Sequence, residues 1–136
     1  MAKEKKNILI VDDDKAILES LRMIFEKEGY CVDIAENGRK AIEQSKACIY
    51  HLAVLNVLLP DMKGTELLIK LQEIFPEMIK IMLSGLPLEK AEEFLKLGAT
   101  AFIVKPINPS KLLRIIREKL KEQEEAMKMS QENVEK

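Results

Sequence analysis

Four apolar residues in a row, Leu52-Ala53-Val54-Leu55, end abruptly at Asn56. A stretch with no polar alternation suits a strand covered on both faces, the condition of strands in a parallel sheet sandwiched between helices. The rest of the chain alternates in the same sense. Ile8 to Val11, Ile79 to Leu83 and Thr100 to Val104 read as further strands, and Cys31 to Ala35 as a weaker one nearer an edge, since it carries Asp33. Helical patterns lie between them. The first runs from about Asp14 to Glu28, with Ile17, Leu21 and Ile24 on one face beside Leu18 and Phe25. Asn37-Gly38 opens a second, which turns Ala41, Ile42, Ser45 and Cys48 inward, and Thr65 to Phe75, closed by Pro76, is the third. Leu88 to Leu97 is the fourth, and the fifth starts near Pro109-Ser110 and carries Leu112, Leu113, Ile115, Ile116 and Leu120. Gly29 and Gly98 stand where the first and fourth helices should stop.

Five strand-and-helix pairs fill a chain of 136 residues and leave no room for a second domain. Right-handed crossovers then predict an α/β fold, a doubly wound five-stranded parallel sheet in the order 2-1-3-4-5 with helices on both faces. Sheets of this kind bind at their carboxyl edge, where the strand order reverses. That rule places Asp12 and Asp13, after the first strand, beside Asn56, after the third. Ser84 and Lys105 reach the same edge from the fourth and fifth strands. Adjacent acids repel unless a cation or a lysine sits between them. Magnesium, a hard ion that prefers oxygen and bridges to phosphate, is the natural companion.

Four segments stand in order at fitting separations: Ile8-Leu9-Ile10-Val11-Asp12-Asp13-Asp14, then Asn56-Val57-Leu58-Leu59-Pro60-Asp61-Met62-Lys63-Gly64, then Ser84-Gly85, then Phe102-Ile103-Val104-Lys105-Pro106. Together they resemble the motifs of response-regulator receiver domains, the phosphorelay modules of two-component signalling, over about residues 5 to 121. The resemblance implies that Asp13 binds Mg2+ directly, that Asp12 holds it largely through water, and that the backbone carbonyl of Leu58 completes the protein ligands. It implies that Ser84 bonds one phosphoryl oxygen, that Lys105 pairs with another, and that Phe102 swings inward when Ser84 moves. It also implies a cis peptide at Lys105-Pro106. The implied partners are a sensor histidine kinase or phosphotransfer protein, and a second copy is expected through the tail together with the fourth helix, fifth strand and fifth helix, about Glu89 to Leu97 and Phe102 to Leu120.

The departure is central, because Asn56 occupies the position of the family's phosphoacceptor aspartate. An amide oxygen is a poor nucleophile, so phosphotransfer should be absent. The cluster also loses one negative charge, so Mg2+ should bind weakly, while the amide can donate a hydrogen bond to a neighbouring group. Without phosphoryl oxygens to hold Ser84 and Lys105, the conformation should stay mostly inactive-like. The expected role is not enzymatic and works by protein contact. Two origins of Asn56 fit the sequence: a natural pseudo-receiver, and a deliberate replacement of aspartate that locks out phosphorylation. Leu58 and Leu86, two residues beyond Asn56 and Ser84, are apolar walls that would hinder an attacking water if an aspartate stood at position 56.

Other classes fit less well. Basic and acidic residues number 22 and 23, so no net field favours nucleic acid or an anionic membrane. No apolar run approaches the ~20 residues of a membrane helix, and Lys3 to Lys6 lead straight into a strand, which together suggest a soluble cytoplasmic protein. A small Mg-dependent phosphohydrolase of similar fold spaces two aspartates one residue apart, unlike Asp12-Asp13, and carries an inserted cap. A flavin or nucleotide module wants a glycine-rich phosphate loop where Asp12-Asp13-Asp14 would repel it. Cys31 and Cys48 have no CxxC spacing and read as buried reduced thiols, and His51 as an exposed or hydrogen-bonded residue. A 3-4 spacing continues through Ile116, Leu120, Gln123, Met127, Ser130 and Val134, with Gln123 and Ser130 polar. Residues 122 to 136 thus read as a helical tail or linker towards an output domain outside this sequence, either a weak coiled coil or a solvated helix.

Overall fold

The computed structural model describes residues 5–135 apart from Leu86, with the side chains of Leu88 and of residues 131–135 left aside. Lys3, Leu86, the Val134 side chain and Lys136, named above, therefore lie outside the described residues. The elements follow in strict alternation: β1 (Asn7–Val11), α1 (Lys15–Lys27), β2 (Cys31–Ala35), α2 (Gly38–Ala47), β3 (Leu52–Asn56), α3 (Gly64–Ile74), β4 (Ile79–Ser84), α4 (Ala91–Lys96), β5 (Ala101–Val104) and α5 (Pro109–Glu135). A single 3-10 turn, Leu88–Lys90, leads into α4, so the fourth helix is shorter than its sequence pattern suggests.

The five strands form one sheet in the order β2-β1-β3-β4-β5, every pair parallel, as the periodicity predicts. Val11 is in register with Leu55, Asn56 with Leu83, and Ser84 with Val104, which brings the strand exits to one edge. Alternate residues of a strand feed opposite layers. Leu9, Val11, Ala53 and Leu55 pack with Leu67, Leu68, Leu71 and Phe94 on the α2–α4 side. Ile8, Ile10, Leu52 and Val54 pack with Leu18, Phe25, Leu112 and Ile116 on the α1–α5 side. This double covering is why Leu52 to Leu55 carries no polar residue.

Helix ends are closed by the residues that the sequence offers. The Asp14 carboxylate accepts from the N–H groups of Ala16 and Ile17, and the Asn108 side chain from those of Ser110 and Lys111 just after Pro109. Gly29 (φ 95°) and Gly98 (φ 109°) take the left-handed conformation that ends α1 and α4. The next residues then reach back, Tyr30 N–H to Phe25 O and Ala99 N–H to Phe94 O.

Several expectations are corrected. In α1 the deepest residues are Leu18, Leu21 and Phe25, with Ile17 and Ile24 only partly buried on its flank. Cys31 and Cys48 are both exposed, not buried. Cys48 is the extended C-cap residue of α2 (φ −132°, ψ 145°) and has left the helical face that carries Ala41 and Ser45 inward, while Cys31 opens an edge strand. His51 is hydrogen-bonded as expected, its Nδ1 accepting from Asn7 N–H at 3.0 Å. The α5 helix runs unbroken across residues 121 and 122, and the Gln123 amide donates to the carbonyls of His51 and Glu77 at the base of the sheet.

One buried residue is out of character for the core. Lys80, in the interior strand β4, is only 1 % exposed, and its ammonium donates to Gln72 Oε1 on α3 while its backbone N–H reaches Thr100 Oγ1. Burial pulls its pKa below the ordinary lysine value, with Glu77 opposing that only in part. In the alkaline window below 10.5 the unfolded chain then binds more protons than the folded one, so this group makes stability rise with pH there. Lys80→Met should remove that rise and leave the protein as stable or up to about 1 kcal/mol more stable in urea denaturation at neutral pH. A loss of about 3 kcal/mol would instead show that the Lys80–Gln72 bond is a net support.

Candidate functional site

Polar side chains appear where the strands leave the core. Asp12 follows β1 directly, and its buried carboxylate accepts through Oδ1 from Asp14 N–H at 2.9 Å, which fixes the turn into α1. Asn56 ends β3 and Ser84 ends β4, both buried, and Lys105 follows β5, its N–H donating to Ser84 O at 2.7 Å. The Lys105-Pro106 peptide is cis, as the resemblance implies. Asp13 points to solvent.

Three of these groups meet. Lys105 Nζ donates to Asn56 Oδ1 at 3.0 Å and lies 3.8 Å from Asp12 Oδ2. On its other side the Asn56 amide nitrogen donates to the Leu58 carbonyl at 2.7 Å. The amide is thus oriented from both ends, oxygen towards the ammonium and nitrogen towards the loop after β3. Burial pushes the Asp12 carboxyl above the ordinary range. The Asp14 N–H and the Lys105 ammonium pull it back, and Asp13 raises it further. The oxygen donors available to a cation are the carboxylates of Asp12 and Asp13 and the Leu58 carbonyl, which already holds the amide. Among the described residues no three His, Cys, Asp or Glu side chains converge to hold a metal.

Phe102 is half-buried on the α4 side of β5, its ring centroid 5.4 Å from that of Phe94. Leu58 turns its carbonyl to Asn56 and its side chain outward, 67 % exposed. A largely apolar crevice of about 380 Å3 lies beside Lys105, walled by Ile17, Leu21, Ile24, Pro106, Ile107 and Pro109.

Asp61 is a residue whose part the sequence did not disclose. Its two carboxylate oxygens accept from the N–H groups of Gly38 and Arg39 at 2.9 Å each, while the Asn37 side chain takes that of Lys40. The first three donors of α2 are thereby satisfied, two of them from the loop that follows Asn56. Desolvation alone would raise the Asp61 carboxyl, but the N–H groups of Arg39 and Gly38 outweigh it and hold it below the ordinary range. Two glycines permit the same close fit. A Cβ at Gly64 would lie 2.5 Å from the Val57 carbonyl oxygen, and one at Gly38 2.4 Å from the Met62 sulfur.

Comparison with known proteins places this geometry. The family model for the response regulator receiver domain matches residues 8–117. A receiver domain protein (CheY-like) from Methanospirillum hungatei JF-1 superposes with a TM-score of 0.86 and 47 % identity over 90 % of this chain and 99 % of its own. Among curated relatives, the transcriptional regulatory protein ResD of Bacillus subtilis is 33 % identical over 107 residues, which are 78 % of this chain and 44 % of that protein. The transcriptional regulatory protein ZraR of Klebsiella oxytoca is 31 % identical over 121 residues, 88 % of this chain but 27 % of that protein. The chain thus spans half or less of the length of these two regulators.

Asp61→Ala should cost about 1 kcal/mol at neutral pH, by analogy with the loss of a helix cap. Because the folded-state pKa of Asp61 is depressed, its contribution is present above the ordinary carboxylate pKa and is lost as pH falls through the folded value. Urea midpoints of the two proteins should therefore differ at pH 7 and converge in acid. A gap that persists in acid would mean that the cap is not what Asp61 supplies.

Proposed function

We propose that this chain, which belongs to the response regulator receiver domain family, is a receiver in which Asn56 silences phosphotransfer and which signals by protein contact. Receiver domains of this family work in two-component signalling and interact with histidine kinases or phosphotransfer proteins. The observation that carries the reading is the amide of Asn56, pinned between Lys105 Nζ and the Leu58 carbonyl.

An aspartate in this place would turn one carboxylate oxygen towards Lys105 and the other towards the Leu58 carbonyl. Two oxygens facing each other at hydrogen-bond distance repel, and a cation between them relieves the conflict. Here the amide N–H relieves it instead. The pocket is electrostatically closed on itself, and the amide at position 56 is too poor a nucleophile to accept a phosphoryl group. Asp13, Asp12 through water and the Leu58 carbonyl would still hold Mg2+, but weakly, since the ion must compete with the Asn56 N–H. When bound, it would neutralise the acids beside a phosphoryl group. Ser84, Lys105 and Phe102 keep the places from which the family's switch is worked, and with no acceptor to drive them they hold the inactive-like arrangement.

The same reading assigns residues 5–121 to the receiver and the helix beyond to a connection with an output domain of a longer regulator, Gln123 being an anchor at its root. It has the protein act in the cytoplasm, and no described helix is long and apolar enough to cross a membrane. It also includes a homodimer through α4, β5 and α5, where Leu95 and Val104 are exposed.

Intact mass after exposure to a small phosphodonor with Mg2+ tests the reading on this protein and on Asn56→Asp side by side. Only the aspartate form should gain a phosphoryl group; labelling of the asparagine form would overturn the assignment. Light scattering should show a dimer that Val104→Glu converts to monomer. A full chain that stays monomeric at tens of micromolar removes self-association from the reading.

A further inference from the structure

We propose that Cys31 and Cys48 form a redox-sensitive pair that closes a disulfide between the start of the edge strand β2 and the end of α2. The inference is independent of the state of Asn56.

Both thiols are exposed. Cys31, Asp33 and Ala35 are alternate residues of β2 and share the face on which α2 packs, since Ala35 and Ala41 lie in the same core layer. Cys48 closes α2 at the base of that face. The segment after Cys48 is tied down on both sides of Cys31. Across the sheet, Asn7 is the register partner of Cys31, and its side-chain amide donates to Ile49 O at 3.2 Å. Along the strand, Asp33 accepts from the Tyr50 hydroxyl at 2.6 Å, and the Cys48 thiol adjoins that same hydroxyl. Ile49 and Tyr50 are thus fastened to the register partner of Cys31 and to the next residue on its face of β2. Cys48 sits outside the regular turns of α2, and the pleat puts Cys31 on the face that α2 covers, the placement from which a common bond would form with Cα atoms roughly 4.4–6.8 Å apart.

The oxidant is a peroxide. One thiolate attacks the peroxide oxygen and becomes a sulfenic acid, with hydroxide leaving. The second thiolate then attacks the sulfenic sulfur, the S–S bond forms and hydroxide departs. Two thiols lose two electrons and two protons, and hydrogen peroxide becomes two waters. Where disulfides occur in reducing compartments they are mostly transient and redox-sensing, which suits an exposed pair better than a buried one. The Asp61 carboxylate already holds the first turn of α2, so oxidation would fasten the helix at its other end as well.

The test is titration of the full chain with hydrogen peroxide, followed by intact mass, thiol alkylation and peptide mapping. We expect a monomer lighter by two hydrogens, with both thiols closed to alkylation, a Cys31–Cys48 linked peptide, reversal by dithiothreitol and a Tm above that of the reduced protein. Cys31→Ser and Cys48→Ser, substitutions at exposed positions, should each abolish the link and the Tm rise. Three results would overturn the proposal: intermolecular dimers as the main product, stepwise oxygen addition at separate thiols, or a link that forms only in denatured protein.

Discussion

A parallel sheet covered by helices on both faces has nowhere to put a polar side chain except at its ends. That constraint shapes the whole molecule. It makes Ile8 to Val11 and Leu52 to Leu55 uniformly apolar, and it forces Asp12, Asn56, Ser84 and Lys105 to wait until their strands leave the core. Because all five strands run the same way, their exits share one edge, and groups far apart in sequence meet without any long loop to carry them. The exception is Lys80, which sits inside the layer and needs Gln72 on α3 to receive its ammonium.

The site that results is held by several short contacts. Lys105 binds the Asn56 amide oxygen, the amide nitrogen binds Leu58, and three residues on Asp61 binds the first turn of α2. The loop after β3 is therefore fixed at both ends, to the fifth strand's exit on one side and to a helix on the other. Gly64 lets the start of α3 close on the Val57 backbone, and Gly38 leaves room for the Met62 side chain against the start of α2. Asn56 is neutral, and both ends of its amide are satisfied within this arrangement.

Much of this was legible in the sequence, because it follows from local pattern. The strand order, the stops at Gly29 and Gly98, the starts of α1 and α5 and the edge character of β2 all come from spacing, turn chemistry and crossover rules. The convergence of Asp12, Asn56 and Lys105 followed from the strand order alone. What stayed hidden depends on which residues meet across long separations. Asp61 reads as an ordinary loop acid until α2 is seen above it, and Gln123 as a polar break in an apolar seam until the base of the sheet is seen beside it. Cys48 was misread because periodicity continues past a helix end that the backbone does not respect. Lys80 was absorbed into an apolar strand because nothing near it in sequence announces Gln72.

The α5 helix has a consequence of a mechanical kind. It starts close to Lys105, is embedded along Leu112, Ile116 and Leu120, and is clamped by Gln123 to the opposite edge of the sheet. From Gln123 to Glu135 it runs on for roughly 18 Å at the helical rise of ~1.5 Å per residue. A tilt of about 10° at the clamp would swing its far end by about 3 Å, on that same length. The helix beyond Gln123 therefore works as a rigid extension of the packed part, so a change at the clamp too small to repack the core reaches the far side of the domain as a displacement of a few ångströms.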